Sequence, residues 1–179
     1  GAQEYFGVQA DLVTYGKIIG GGMPVGAYAG SRALMEQVAP TGPVYQAGTL
    51  SGNPVAMAAG LAQLNIITDH PEIYTVMETS ASYIANHLRA SAEKHGIAMQ
   101  VNQIGSLLCP YFTETPVNCY AAAKKSDTKR YAAYFNGMLK RGIYLAPSQF
   151  EAMFVSSVHT QNDLACTVQA AEETLSEMA

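Results

Sequence analysis

Asp11 to Gly30 read D-L-V-T-Y-G-K-I-I-G-G-G-M-P-V-G-A-Y-A-G, and this stretch decides how the sequence folds. Its beginning, Leu12 to Tyr15, is short and rich in β-branched and aromatic residues, which predicts a strand. The glycines after it predict a turn, because glycine adopts backbone conformations that other residues avoid. A short strand of this kind belongs inside a parallel sheet, whose neighbouring strands we expect from sequence upstream of Gly1.

Lys17 is the chemically distinctive residue of this stretch, because it is the only lysine before Lys94. It follows the predicted strand and precedes two isoleucines and Gly20–Gly22. Apolar surroundings disfavour the ammonium form, as an imine-forming amine requires, and the glycines leave room for a flat ligand. The alternative is a surface lysine at a strand end. Three glycines are a weak signal alone, and they do not form the phosphate-binding G-x-x-x-x-G-K-[ST] motif.

A second candidate site precedes the next predicted helix. Residues 45–54 read Y-Q-A-G-T-L-S-G-N-P, so small and hydroxyl-bearing residues lead to Pro54, which suits the first helical position. Backbone N–H groups, hydroxyls and the positive end of a helix dipole are together suited to a phosphate. Simple N-capping by Asn53 or Ser51 is the alternative.

The composition excludes several classes of protein. Charged residues make up 13% and hydrophobic residues 49% of the 179 residues, which excludes a disordered chain. A net charge of −4 and ten basic residues without a basic run argue against a nucleic-acid partner. The apolar runs are too short for a membrane span, and we expect no metal site. The three cysteines form no C-x-x-C pair, which predicts reduced thiols in the cytoplasm, or in the plastid stroma if the source is a plant.

The first residues show neither an initiator Met nor a signal peptide. Because the sequence opens just before a strand, we expect a piece cut from something longer. An expression scar followed by a complete small domain is the alternative. The low charge also predicts surface that is buried against another chain or an absent segment.

A change of pattern places a domain boundary near residue 70. Apolar residues at helical spacing after Pro54 predict a first helix, whose apolar side would carry Met57, Leu61, Leu64 and Ile67. Asp69-His70-Pro71 ends that helix, and a second helix is predicted from Pro71 to His95, with Gly96 as its C-terminal cap. The pattern from residue 97 onward is α+β. It predicts strands over 98–103 and 106–113, a helix capped by Ser126 or Asp127, strands over 143–145 and 153–158, and a last helix opened by Thr160 and Asp163.

Three separate motifs give the chain a resemblance to a known family. The stretch from Asp11 to Gly30 resembles the lysine signature of class-III pyridoxal-phosphate (PLP) aminotransferases. Similarity continues through Ala39–Pro54 and Gly142–Ala152, with His159-Thr160 after them, and covers essentially all 179 residues. The resemblance implies an α/β protein of fold type I. Residues 1–70 would then be the C-terminal part of the large PLP-binding domain, and residues 71–179 the small C-terminal α+β domain.

The resemblance also implies a cofactor site. Lys17 would bond covalently to PLP and move protons between the substrate and the cofactor, which also has a pyridoxamine form. Thr49, with the Gly48 backbone, would hold the phosphate of the neighbouring subunit's cofactor across a homodimer interface. The other parts of such a site would lie upstream, so we expect the isolated 179-residue chain to be inactive.

For the substrate, the resemblance implies a small amino-aldehyde. Tyr45 and Gln46 would line the shared site and Glu151 would face the substrate, although a solvated loop carboxylate is the alternative for Glu151. The implied reaction is the isomerisation of (S)-4-amino-5-oxopentanoate to 5-aminolevulinate, a precursor of tetrapyrroles. The alternatives are an aminotransferase that uses an external keto acid, and a non-catalytic assembly module.

Overall fold

The chain divides at Pro71, where one long helix has ended and the next begins. The computed structural model describes all 179 residues and separates them into two units, Gly1–His70 and Pro71–Ala179. Proline favours this break because it lacks the N–H that a continuing helix needs. The assignment of the first unit to a larger cofactor-binding domain, and of the second to a small C-terminal domain, stays a prediction.

The first unit is built on a pair of antiparallel strands. Its elements are α1 (Ala2–Tyr5), β1 (Leu12–Gly16), a 3-10 turn (Lys17–Gly20), β2 (Gly26–Gly30), α2 (Arg32–Met35) and α3 (Pro54–Asp69). The predicted strand after Asp11 is confirmed, and its partner within the chain is antiparallel, with Gly16 opposite Gly26. The parallel neighbour expected for β1 is not among these residues. The sequence did not reveal β2, because glycine and alanine are depleted in strands.

Helix α3 begins where the sequence predicted. The Asn53 side chain accepts hydrogen bonds from the N–H groups of Val55 and Ala56, at 3.1 and 3.2 Å, and Pro54 occupies the first turn. These bonds use donors that an uncapped helix would leave free. Asn53, and not Ser51, is therefore the cap.

The predicted apolar side of α3 is not the side that is buried in this chain. Met57, Leu61 and Leu64 are all exposed, whereas Ala56 and Gly60 are the buried residues of the helix. The turn at Lys17–Gly20 packs on α3, and its backbone approaches the helix so closely that only small side chains fit there. The spacing alone predicted a helix, but it did not show which face of that helix is buried.

The second unit packs three long helices against a small antiparallel sheet. Its elements are α4 (Glu72–Lys94), β3 (Gln100–Ile104), β4 (Leu107–Tyr111), α5 (Tyr120–Ala123), α6 (Thr128–Lys140), β5 (Met153–Phe154) and α7 (Gln161–Glu177). The sheet order is β3-β4-β5, and β3 and β4 form a hairpin that turns at Gly105. The core lies between α4, α6, α7 and the sheet, around Leu88, Leu108, Tyr134, Met138 and Leu175. None of the helices combines the length and apolarity that crossing a membrane requires.

Most predicted elements of this unit are confirmed, but one strand is wrong and another is too long. Residues 143–145 form no strand, because the N–H of Ile143 is bonded to the Met138 carbonyl at the end of α6 and is not available for a sheet. The strand predicted over 153–158 is limited to Met153–Phe154. After β5, the N–H of Val155 donates to the carbonyl of Ser106, which lies in the turn between β3 and β4.

Polar caps fix where the helices of the second unit begin. Asp127, one of the two residues predicted to cap α6, accepts from the N–H groups of Lys129 and Arg130. Thr160 and Asp163 form the predicted reciprocal capping box of α7. The hydrogen bonds from Thr160 hold the pKa of the Asp163 carboxyl below its usual range. These caps satisfy helix N–H groups that would otherwise lack partners.

Glu172 on α7 connects that helix to α4. Its carboxylate accepts hydrogen bonds from Ser91 and Lys94 and lies 2.9 Å from Nε2 of His95. The Lys94 ammonium, Ser91 and His95 together lower the pKa of Glu172 to about 2. The ionised carboxylate is therefore the form that the fold stabilises.

We expect Glu172→Gln to destabilise the second unit by about 1 kcal/mol at neutral pH, since a partly solvated ion pair contributes modestly. Because the folded pKa is lowered, the carboxylate's contribution is present above the ordinary glutamate pKa of 4.5 and is lost as the pH falls toward 2. Urea unfolding at pH 7 and at pH 3 measures this difference. Glu93→Gln, an equal charge change at an exposed residue of α4, is the control. Equal losses in the two variants at pH 7 would contradict the assignment.

Candidate functional site

Lys17 has an unusual backbone. Its φ of 53° makes it the only non-glycine residue of the chain with a positive φ. The strand before it ends with Gly16 in an extended conformation, and the 3-10 turn that Lys17 opens ends at Gly21. A left-handed lysine is strained by roughly 1–3 kcal/mol. Such strain persists only where the surrounding structure enforces it, and it is concentrated at functional sites.

The Lys17 side chain is exposed and makes no ion pair or hydrogen bond in the chain. Ile18 beside it is also 72% exposed. The prediction that apolar neighbours would surround the amine is therefore wrong for the residues of this chain. They fix the backbone of Lys17, and they do not shield its amine from water.

The glycines after Lys17 serve mainly to let backbones approach one another. A Cβ on Gly20 would lie 3.2 Å from Val25, and one on Gly21 would lie 2.6 Å from the carbonyl oxygen of Ala59 on α3. Only Gly22 faces open space. The prediction that all three glycines leave room for a ligand is thus wrong for Gly20 and Gly21, whose space the protein itself fills.

Gly48 and Thr49 belong to a turn that lines an open depression of about 450 Å³ in the first unit. The opposite wall comes from Pro24–Gly26, directly after the glycine run. The N–H of Ser51 donates to the Gly48 carbonyl at 2.9 Å and closes the turn. The Thr49 hydroxyl and the N–H groups of Thr49 and Leu50 make no hydrogen bond in the chain and are free to donate to a ligand.

Tyr45 and Gln46 lie just before this turn and do not line the depression. Tyr45 is 84% exposed and Gln46 is exposed as well. Lys17 is also absent from its lining. Within the first unit, the structure therefore brings Gly48 and Thr49 together with Pro24–Gly26 but leaves these three side chains facing outward.

Glu151 lies in the second unit, on the loop that joins α6 to β5. It lines a cavity of about 490 Å³ whose apolar wall includes Leu88 and Met138, and whose polar residues include His159. The Glu151 side chain is exposed. Such a carboxylate at the edge of a cavity is free to act on a ligand, and it is equally compatible with a solvated loop residue.

Buried polar groups that sequence reasoning missed fix the loop that carries Glu151. The Cys109 thiol donates to the carbonyl of Gln149, at 3.1 Å, and lies 3.7 Å from that of Glu151. The Tyr131 hydroxyl donates to the Ala146 carbonyl at 2.6 Å. Burial raises the pKa of the Cys109 thiol and that of Tyr131, the latter to about 12. Both groups therefore remain protonated donors at neutral pH, and no local sequence pattern links them to residues 146–151.

Comparison with known proteins places this geometry in a family. The profile of the aminotransferase class-III family matches residues 1–172. The chain belongs to the class-III aminotransferases. It is 62% identical over 177 residues to the glutamate-1-semialdehyde 2,1-aminomutase of Ruminiclostridium cellulolyticum, an alignment that covers 99% of this chain and 41% of that protein.

Solved structures agree with the assignment to the class-III aminotransferases. The β-phenylalanine aminotransferase from Variovorax paradoxus superposes with a TM-score of 0.89 at 30% identity, over 99% of this chain and 41% of that one. A transaminase solved with PLP bound gives a TM-score of 0.84 at 27% identity, over 99% of this chain and 40% of the other. The fold is thus the α/β fold of the fold-type-I aminotransferases. The chain spans about two-fifths of the length of the relatives it matches.

The strain at Lys17 of this class-III chain predicts an inverted order of stability. Lys17→Gly should give a more stable protein than Lys17→Ala, by about 1 kcal/mol, because glycine adopts a positive φ without steric cost. Urea unfolding of the two cofactor-free variants measures the difference. At Gln46, whose φ is not positive, the same pair should show alanine to be at least as stable as glycine. An alanine variant as stable as the glycine variant at position 17 would contradict the strain.

Proposed function

We propose that this chain is part of a PLP-dependent aminomutase that converts glutamate-1-semialdehyde, (S)-4-amino-5-oxopentanoate, to 5-aminolevulinate for tetrapyrrole synthesis. The observation that carries the proposal is the 62% identity, over 177 residues, to a protein named for that reaction. The protein would then be an isomerase, in which the amino group leaves one carbon of the substrate and returns to its neighbour.

The residues of the first unit fit the cofactor. The turn at Gly48–Leu50 offers a free hydroxyl and free N–H groups beside the open depression, a donor set suited to a phosphate. The amine of Lys17 forms no ion pair with a carboxylate of this chain. A similar transaminase was solved with PLP bound. When bound, PLP supplies an electron sink that lets an amino-bearing carbon lose its proton.

Lys17 would do two things in this reaction. Its Nζ would be the group that holds the cofactor covalently, and the same amine would carry protons between the carbons of the substrate and the cofactor. Both tasks need an amine held at a defined position, and the strained backbone at Lys17 provides one. The exposure of the side chain leaves it accessible to both partners.

Thr49 and Gly48 would bind phosphate for the neighbouring subunit of a homodimer. Thr49 lines the depression, and its hydroxyl and N–H have no intramolecular partner, as such a role requires. Large exposed apolar side chains in the same unit, including Ile18, Tyr45 and Leu61, are compatible with burial in a dimer or against the rest of the protein. The cytoplasm is the proposed location, because all three cysteines are free thiols.

Glu151, with Tyr45 and Gln46, would contact the substrate. A carboxylate in this position disfavours an external keto acid that carries two carboxylates, because Glu151 would repel the second one. An amino-aldehyde that stays bound carries an amino group that a carboxylate attracts. Because Glu151 disfavours that exchange, an aminotransferase that uses a free keto acid is only the second candidate.

The test is turnover by the full-length protein that carries these residues. We expect it to form 5-aminolevulinate from glutamate-1-semialdehyde without any added keto acid, and Lys17→Ala to lose several orders of magnitude in rate because the amine acts covalently. Borohydride reduction followed by peptide mapping should find the cofactor on Lys17. Gln46→Ala, which keeps the amine, should still be labelled. A strict need for a keto acid would favour the second candidate, and wild-type turnover by Lys17→Ala would refute the proposal.

Thr49→Ala should weaken cofactor binding more than folding. The loss of one hydrogen bond to a charged phosphate should raise the dissociation constant of PLP by about 10- to 100-fold, equivalent to roughly 1.5–3 kcal/mol. Equilibrium titration of the cofactor-free protein measures it, with Thr49→Ser as the variant that should restore binding. If Thr49→Ala instead lowers the melting temperature of the cofactor-free protein and leaves affinity unchanged, Thr49 is a structural residue.

A further inference from the structure

Two backbone contacts join the lysine turn, Lys17–Gly20 with Gly21 at its end, to helix α3. A Cβ on Gly60 of α3 would lie 2.6 Å from the carbonyl oxygen of Ile19, and a Cβ on Gly21 would lie 2.6 Å from the carbonyl oxygen of Ala59. Each partner thus approaches the other at a glycine, and both obstructing atoms belong to the backbone. No side-chain rotation can relieve a clash of that kind.

We infer that Gly60 is a positioning residue for Lys17, because its missing side chain lets α3 receive the turn and hold Lys17 in its left-handed conformation. The inference rests on the proposed function, in which the Lys17 amine bonds the cofactor. Gly60 itself is buried and has an ordinary negative φ, so only the close approach, and not its own conformation, requires glycine there.

The strand pair and the helix together leave the turn no freedom to relax. Gly16, directly before Lys17, is paired with Gly26, so the chain leaves the strand pair and returns to it at the same point. The segment between Gly16 and Gly26 packs on α3 at Gly60. A strained residue keeps its conformation when its surroundings are fixed at both ends. If α3 were pushed away, the turn could relax and Lys17 would move.

The presence of glycine at position 60 also runs against the local preference of a helix. Gly60 lies in the middle of α3, where alanine is intrinsically more favourable than glycine. A purely structural view of α3 therefore predicts that Gly60→Ala strengthens the helix. The close approach predicts that the same change displaces the lysine turn. The two effects act on different measurements and can be separated.

The experiment compares three variants in the full-length, cofactor-free protein. Gly60→Ala introduces the clash without a φ penalty. Gly21→Ala and Gly22→Ala form a matched pair, because both glycines have positive φ, 55° and 90°, but only Gly21 faces an obstructing atom. Each variant is mixed with pyridoxal phosphate, and the rate of covalent attachment is followed by absorbance and by borohydride trapping at Lys17. Urea midpoints are measured on the same samples, and kcat and KM on the loaded enzymes.

We expect Gly60→Ala to retain or raise the urea midpoint and to attach the cofactor at least tenfold more slowly, since a misplacement of about 1 Å can cost about 100-fold. Its kcat should fall in proportion, with KM within about twofold of wild type. Gly21→Ala should attach at least tenfold more slowly than Gly22→Ala. If Gly60→Ala does not fold, this matched pair decides the question alone.

Two results would overturn the inference: wild-type attachment by folded Gly60→Ala, or equal rates for Gly21→Ala and Gly22→Ala. A lowered urea midpoint with an unchanged attachment rate assigns Gly60 a structural role only. Trapping of the cofactor away from Lys17 in the wild-type protein would instead refute the proposed function. Trapping at Lys17 with no effect of Gly60→Ala refutes this inference and leaves the proposed function standing.

Discussion

The close approach of the lysine turn to helix α3 is the constraint on which the first unit depends. Backbone meets backbone at Gly21 and Gly60, and this contact determines which face of α3 the chain covers. The same contact, with the pairing of Gly16 to Gly26, fixes the only left-handed non-glycine residue of the chain. The packing of α3 and the backbone position of Lys17 thus follow from the absence of two side chains.

The second unit is organised by a different principle, in which side chains satisfy the polar ends of helices and loops. Asp127, Thr160 and Asp163 cap helices, and Glu172 joins α4 to α7 through charged partners. Cys109 and Tyr131 donate from the core to the loop that carries Glu151. A loop without sheet pairing therefore has a defined path, because buried donors replace the missing strand bonds.

The sequence revealed what depends on local signals and missed what depends on distant contacts. The start of α3 at Asn53-Pro54 and the capping box of α7 are short-range patterns, and both were predictable. The strand predicted over 143–145 failed because the end of α6 takes the N–H of Ile143, a competition that a strand pattern does not show.

The candidate site was predictable to the same extent. The residue types at Lys17 and at Gly48–Thr49 indicated the chemistry. The positive φ of Lys17 could not be predicted from the residues next to it in the sequence, because we infer that it depends on contacts with α3. The small residues Ala56 and Gly60, four apart on α3, were the one signal that could have revealed the buried face. The spacing of the larger apolar residues predicted a different face of the helix.

The distribution of charge in the first unit bears on how it could bind a phosphate and an aldehyde. Residues 1–70 contain two Lys or Arg side chains, Lys17 and Arg32, and Arg32 lies 3.6 Å from Glu36 in an exposed pair. The depression beside Gly48–Leu50 is lined by neutral donors and by no charged side chain. In this unit, the phosphate of the neighbouring subunit's cofactor would therefore be bound by oriented N–H and hydroxyl dipoles, and Lys17 would be the one unpaired cation available for covalent chemistry with the unit's own cofactor. Dipoles fixed in a turn would give directional phosphate binding without a second ammonium group, so that Lys17 would be the only amine of this unit that competes for an aldehyde.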